Sequence, residues 1–262
     1  MVTDPSTLVG TALTFQPSTD GMAFSTHRTV LARGCDGSPV LPFEGYASRH
    51  TKLVGMSDDA QRTVSLGGTF DIRGTKQDSA NVMSNGYVTF GEGRVEYPYF
   101  RGANTTEMLA RHFDPSGGAT GLSGLWADLD PSAGGSIYVG TEPILDIFPE
   151  ELSLGADAAP PRKVAVVTYA AVKAWGTSRP FESGGPSRET TFQMLFHLDG
   201  SGVMQVAYQS IAPTLANAAV VGVRNGAFDF ARERSQGYEP YPFEDALPLP
   251  RASPFEPTRL FR

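Results

Sequence analysis

Short runs of alternating apolar and polar residues are the feature that most constrains the fold of this chain. Residues 63–72 carry an apolar residue or glycine at every second position, and residues 191–198 place four large apolar side chains on one face. Because successive side chains of a strand point to opposite faces, this period of two predicts strands with one buried side. The turns Ser84-Asn85-Gly86 and 199–202 each separate two such runs, and Asn-Gly and Asp-Gly favour tight turns. The pattern therefore predicts antiparallel hairpins.

Further strands are predicted along the chain, and helix signals are scarce. Residues 164–172 are almost continuously apolar and rich in valine, which predicts a central strand covered on both faces. Residues 12–15 and 22–24 predict an edge hairpin, and residues 219–223 predict a last apolar strand. The best helical pattern, at residues 105–112, is barely two turns long. We expect an all-β fold, an antiparallel β-sandwich with long loops and little helix.

The proline distribution divides the 262-residue chain into two parts. We expect one β-sandwich domain over residues 1–235 and an extended, proline-rich tail over residues 236–262. Proline has no backbone N–H, so the tail cannot supply a central strand. Either the tail lies on the domain or on a neighbouring molecule, or it is a linker to another domain. The predicted loops at residues 141–161 and 174–189 are long enough to carry an interaction surface.

Charge and cysteine content exclude several classes of protein. The net charge of −7 argues against a nucleic-acid partner, which selects basic surfaces. Cys35 is the single cysteine, so no intramolecular disulfide can form. No window of 18 apolar residues is present, which predicts no membrane span. No secretory signal is visible at the start, so extracellular localisation requires one that was removed or lies outside this segment.

One acidic motif is a candidate site. Asp128 and Asp130 share a face if residues 126–130 are extended. Two carboxylates at this spacing could contribute to a Ca²⁺ site, which needs six to eight oxygens, or act as an acid/base pair. The simpler interpretation is structural, with Asp130 starting an Asx-type turn. We favour the structural role and keep calcium as the alternative; no other metal or cofactor is predicted.

Aromatic residues are the candidates for binding. Tyr97 and Tyr99 alternate around a proline, and Trp175 stands beside a polar, glycine-containing loop. Tyr241 and Phe243 lie in the proline-rich tail. Exposed aromatic side chains stack on sugars and anchor protein interfaces. Trp175 has the best case for exposure, because the residues that follow it are polar.

Several sequence strings occur in an order that is similar to a known extracellular domain. They are residues 81–91, 121–138, 163–169, 191–200 and 220–223. Together they resemble the nidogen-like (NIDO-type) β-sandwich of surface and matrix proteins, over about residues 63–226. Members of that family often have a Trp-Asp pair where this chain has Tyr169-Ala170, and often carry disulfides nearby.

The resemblance implies an extracellular structural or adhesive module and carries over no catalytic residue. We therefore expect a non-catalytic protein that assembles with itself or with other surface or matrix proteins. A carbohydrate-binding module that uses Trp175 and Tyr97 or Tyr99 is the alternative. A glycoside hydrolase that uses Asp128 and Asp130 is a third, weaker hypothesis.

Overall fold

A computed structural model describes residues 5–18, 24–72, 74–91, 120–144, 162–175, 189–215, 219–224 and 246–248. The predicted helix at residues 105–112 lies outside these residues. So do four of the candidate binding residues, Tyr97, Tyr99, Tyr241 and Phe243.

The first sheet has eight strands, and all of its pairings are antiparallel. Its strands are β1 (Thr11–Pro17), β2 (Phe24–Val30), β3 (Thr51–Lys52), β8 (Leu129–Asp130), β9 (Ser136–Pro143), β10 (Lys163–Ala174), β11 (Glu189–His197) and β12 (Met204–Ser210). Their order is β2-β1-β12-β11-β10-β9-β3, and β8 pairs with the end of β10.

The second sheet has six strands and is also antiparallel. Its strands are β4 (Gln61–Ile72), β5 (Thr75–Met83), β6 (Tyr87–Phe90), β7 (Thr120–Trp126), β13 (Val220–Arg224) and β14 (Ala246–Pro248). Their order is β14-β13-β7-β6-β5-β4.

Helix is sparse in the described residues. The one α-helix, α1 (Tyr46–Arg49), is a single turn, and 3-10 turns occur at Pro5–Leu8 and Pro213–Leu215. Two antiparallel sheets with little helix confirm the predicted β-sandwich. Within the described part of the chain, no helix combines the length and the apolar character needed to cross a membrane.

A continuous apolar core joins the inner faces of the two sheets. Phe196 from the first sheet meets Phe70 and Phe90 from the second, with ring centroids 4.8 to 5.6 Å apart. All three side chains are at most 2 % exposed. Burial of such a side chain contributes roughly 1.5–3 kcal/mol, so this cluster is a main source of cohesion between the sheets.

Two tyrosine hydroxyls tie the sheets together. Tyr208 in β12 donates to the carbonyl of Gly124 in β7 at 2.6 Å, and Tyr169 in β10 donates to the carbonyl of Met83 in β5. Both hydroxyls are buried, which raises the pKa of each tyrosine well above its usual value. Buried Tyr hydroxyls need such partners, so each fixes the alignment of one sheet against the other.

The outer face of the first sheet is covered as well. Phe43 packs there with Val166 and Leu195, and its backbone forms two hydrogen bonds with the buried Gln193 amide. The prediction that residues 164–172 form a central strand covered on both faces is therefore confirmed.

The edge hairpin near the start of the chain is longer than predicted. Residues 12–15 lie inside β1, which pairs with β12 on one side and β2 on the other. The second strand was predicted at residues 22–24, but β2 begins at Phe24 and continues to Val30. Most of β2 is polar and exposed, so its sequence lacks the alternation that marks a half-buried strand.

Part of the proline-rich tail joins the second sheet. Ala246–Pro248 forms β14 at the outer edge of β13, a position where proline is tolerated. The other residues of the tail lie outside the described residues.

Candidate functional site: an acidic surface beside Trp175

Four carboxylates from two parts of the chain converge beside one exposed tryptophan. Asp58 and Asp59 belong to the loop between β3 and β4, whereas Asp128 lies between β7 and β8 and Asp130 ends β8. The charges of Asp58, Asp59 and Asp130 all act on Asp128, which places the four together. Trp175 follows β10 and is 52 % exposed. We call these five residues the acidic surface.

Trp175 is held in this surface by its backbone. Its N–H donates to the carbonyl of Asp128 at 2.8 Å. Its side chain lies close enough to Asp58 to lower the pKa of that carboxyl, while about half of the Trp175 surface faces solvent. The exposure predicted for Trp175 is confirmed.

The Asn85 side chain joins the two acidic loops. Its amide nitrogen donates to Asp59 Oδ1 at 2.8 Å, and its Oδ1 accepts from the backbone N–H of Leu129 at 2.9 Å. Asn85 is only 1 % exposed. A buried, satisfied amide of this kind fixes geometry, because loss of either bond would leave a desolvated polar group.

The Ser84-Asn85-Gly86 turn is buried, whereas hairpin turns usually face solvent. Ser84 exchanges hydrogen bonds with Ala60, next to Asp59 in the chain. Gly86 has φ +79°, and a Cβ atom there would lie 2.0 Å from the carbonyl oxygen of Leu125. Only glycine permits this close approach, so the turn anchors the acidic surface as well as reversing the chain.

Asp130 has a structural role within the surface. Its Oδ1 accepts hydrogen bonds from Ser132 N at 2.9 Å, Ser132 Oγ at 2.5 Å and Ala133 N at 3.3 Å. These bonds form the Asx-type turn predicted from the sequence. An oxygen with three donors is poorly placed to act as a general base or nucleophile.

Asp128 is the electrostatically perturbed member of the surface. Burial, followed by the charges of Asp58, Asp59 and Asp130, raises the pKa of Asp128 to about 6. The pKa of Asp58 is also raised, first by burial and then by the charges of Asp59 and Asp130, and the Trp175 side chain opposes this rise. Asp58 Oδ1 is buried and has no hydrogen-bond partner within the described part of the chain. The surface therefore gains negative charge as pH rises through about 6.

The donor set fits a calcium ion poorly. Ca²⁺ takes six to eight oxygen ligands, and Asp130 Oδ1 is already engaged in the turn. Among the described residues, no group of three or more Asp, Glu, His or Cys side chains is arranged to hold a metal. Calcium binding by Asp128 and Asp130 stays an untested prediction that this geometry does not favour.

The structure brings together the three predicted site residues that it describes, Asp128, Asp130 and Trp175. Sequence reasoning missed Asp58, Asp59 and Asn85. The consecutive aspartates before β4 were a visible signal, but nothing local indicated that they face residue 128. Asn85 was interpreted only as a turn residue, and its burial is a tertiary property.

A second ionic cluster attaches α1 to the first sheet. Glu142 in β9 accepts a hydrogen bond from Arg49 Nη1 at its Oε2, 3.2 Å away, and its Oε1 lies 2.9 Å from Nε2 of His50. His50 and Glu142 are buried, and His50 Nδ1 has no hydrogen-bond partner in the described part of the chain. Gly140 leaves room for the imidazole, because a Cβ at that position would lie 2.1 Å from the ring. We assign this cluster a structural role.

Comparisons with known proteins yielded no match to a family model, to a curated protein or to a solved structure. The nidogen-like resemblance therefore stays a prediction.

Proposed function

We propose that this chain is a non-catalytic, extracellular structural or adhesion module of nidogen-like type. In this proposal the acidic surface is the region that binds other surface or matrix proteins. The motif order described above supports the family, and the β-sandwich supports a rigid scaffold that presents loops at its ends.

The exposure of Trp175 is the observation that carries the proposal. Among the described residues only three large apolar side chains are exposed, Val30, Val54 and Trp175. Tryptophan is enriched at the energetic centres of protein interfaces, where an apolar ring is buried inside a polar rim. In this proposal the carboxylates of the acidic surface, beginning with Asp58 beside the indole, supply the polar rim.

The charge of the surface defines the chemistry of the partner. Four carboxylates attract a patch that carries Lys or Arg side chains around an apolar contact, and complementary charge speeds association. Because the pKa of Asp128 is about 6, its protonation weakens this attraction at lower pH. We therefore expect stronger binding at pH 7.5 than at pH 5, and a decrease at high salt.

Beads coated with the purified protein provide the test. Their attachment to the surface of cells from the source organism would be counted for wild type, Trp175→Ala and Val30→Ala. Val30 is 80 % exposed and lies in β2, which three strands separate from β10, so it controls for loss of an exposed apolar group. We expect Trp175→Ala to reduce attachment at least tenfold and Val30→Ala to leave it unchanged. Equal attachment of all three proteins would refute the role of the acidic surface.

Carbohydrate binding is a second candidate, because a half-exposed indole beside carboxylates can stack on a sugar ring while the oxygens accept from its hydroxyls. A glycan array of the folded protein tests this hypothesis. Hits that disappear in Trp175→Ala and persist in Val30→Ala would favour a glycan ligand over a protein partner. An array without hits would remove this candidate.

A further inference from the structure

The outer edge of β13 is an apolar sheet edge that requires a cover. Val220, Val221 and Val223 are at most 2 % exposed, and residues 220–223 contain no charge. An uncovered strand of this composition offers unpaired backbone groups to any passing strand. In the structure β14 covers this edge, with Val220 opposite Pro248, Val221 opposite Leu247 and Gly222 opposite Ala246.

The connection between β13 and β14 does not dictate which molecule supplies the cover. β14 contains only three residues, and the 21 residues 225–245 separate it from the end of β13. A chain of that length can span up to about 70 Å when extended. A globular domain of this size has a diameter on the order of 40–50 Å. The segment is therefore long enough to reach β13 of an adjacent copy.

The chemistry of β14 favours a closed assembly over a fibre. Pro248 has no backbone N–H, so the outer side of β14 cannot present a complete edge to a further strand. If two copies exchange this strand reciprocally, each β13 is covered once and neither β13 edge is left open.

We infer that Ala246–Pro248 is an exchangeable edge strand, and that its partner is β13 of a second copy of this chain. The paired residues are identical in the closed and the exchanged forms, so concentration decides between them. A tether of this length corresponds to an effective concentration of roughly millimolar, and a crowded surface layer approaches that value. This inference deepens the self-assembly part of the proposed function, but it does not involve Trp175.

Single-cysteine chains can detect the exchange directly. Cys35 is exposed, so Cys35→Ser would be the background. One chain carries Val221→Cys and a second, size-tagged chain carries Leu247→Cys. Directly opposed residues have Cβ atoms about 4.5–5.5 Å apart, close to disulfide range. Each chain has one cysteine, so no disulfide can form within a chain, and a disulfide between the two requires contact between copies.

The two chains would be mixed at high concentration, oxidised and separated by non-reducing electrophoresis. In the matched control, Val54→Cys replaces Val221→Cys; Val54 is 78 % exposed and so reports chance collisions. We expect at least tenfold more covalent heterodimer from the Val221 pair than from the control. Equal or smaller amounts would overturn the inference.

Sedimentation provides a second readout that needs no core substitution. The Cys35→Ser chain should form dimers at high concentration. The same chain truncated after residue 235 lacks β14 and should stay monomeric under the same conditions. Equal dimerisation of both would also overturn the inference. The Trp175→Ala variant in the Cys35→Ser background should dimerise by strand exchange as the parent chain does. The binding role of the acidic surface and the exchange of β14 can therefore fail independently.

Discussion

Replacement of Asp128 by Asn tests the electrostatics of the acidic surface most directly. The raised pKa of Asp128 means that the folded protein disfavours the ionised form. Asn keeps the shape of the side chain and removes the charge. We therefore expect Asp128→Asn to stabilise the protein at neutral pH and to change its stability little in acid.

The sign and size follow from linkage. Below the ordinary value of 3.8 Asp128 is protonated in both folded and unfolded states, so the penalty is absent. Between pH 3.8 and about 6 the unfolded state loses this proton first, and the free energy of unfolding falls as pH rises. Above about pH 6 the penalty is complete. A rise from 3.8 to about 6 corresponds to at most about 3 kcal/mol. Asp128 is only half-buried, and solvent screens its neighbours, so we expect about 1 kcal/mol.

Urea unfolding at pH 7.5 and pH 4.0 measures this effect. Asp78→Asn provides the control, because Asp78 is exposed in β5 and the substitution changes the net charge equally. The reasoning predicts a gain of about 1 kcal/mol for Asp128→Asn at pH 7.5, most of which disappears at pH 4.0, and no comparable change for Asp78→Asn. In 1 M NaCl part of the gain should remain, because burial is its largest cause. An equal gain at both pH values, or no gain at pH 7.5, would refute the argument.

Three further substitutions test the packing described above. Tyr208→Phe leaves the buried Gly124 carbonyl without its 2.6 Å hydrogen bond and should lower the free energy of unfolding in urea by about 1–2 kcal/mol. An unchanged urea midpoint would contradict the role of this hydroxyl in joining the two sheets. Gly124→Ala places a Cβ 2.7 Å from Met194 and 2.8 Å from Phe192, so overpacking should lower stability by about 1–3 kcal/mol in a thermal melt. A variant with wild-type stability would show that β7 can shift freely. Glu142→Gln removes the carboxylate that pairs with Arg49 and contacts His50, and it should cost about 1–3 kcal/mol in the same urea unfolding assay. Glu44→Gln at an exposed position should have little effect, so equal losses would argue against the cluster.

The central part of the fold could be predicted from the sequence, because strands that pack against the core have alternating or continuous apolar residues. The turn between β5 and β6, the central strand β10 and the hairpin of β11 and β12 were predicted close to their observed positions, although β5 begins six residues before the predicted residues 81–83. Each has a face against the main core, so alternation or continuous apolar character is visible in a short window. The strand β2 was predicted too short, because five of its seven residues, from Ser25 to Thr29, are polar.

The acidic surface could be predicted only in part, since its geometry depends on contacts distant in sequence. Asp128, Asp130 and Trp175 stood out by residue type and local context. Asp59 and Leu129 are brought together by Asn85, which is 26 residues from one and 44 from the other. A short stretch of sequence does not contain this relationship. The burial and the neighbouring carboxylates that raise the pKa of Asp128 are likewise visible only in the folded chain.

The pairing of β1 with β12 has a consequence for how the chain reaches its native state. Thr11 lies opposite Tyr208, so β1 has no partner on that side until almost 200 further residues have been made. At about 5–20 residues per second, that interval is roughly 10–40 s. During this time the apolar side chains of β1 are exposed to the cell, and contacts of such high sequence separation also slow folding itself. The nascent protein should therefore depend on a holding chaperone until β12 emerges. The hairpin of β1 and β2 should be the last part of the first sheet to become protected from hydrogen exchange.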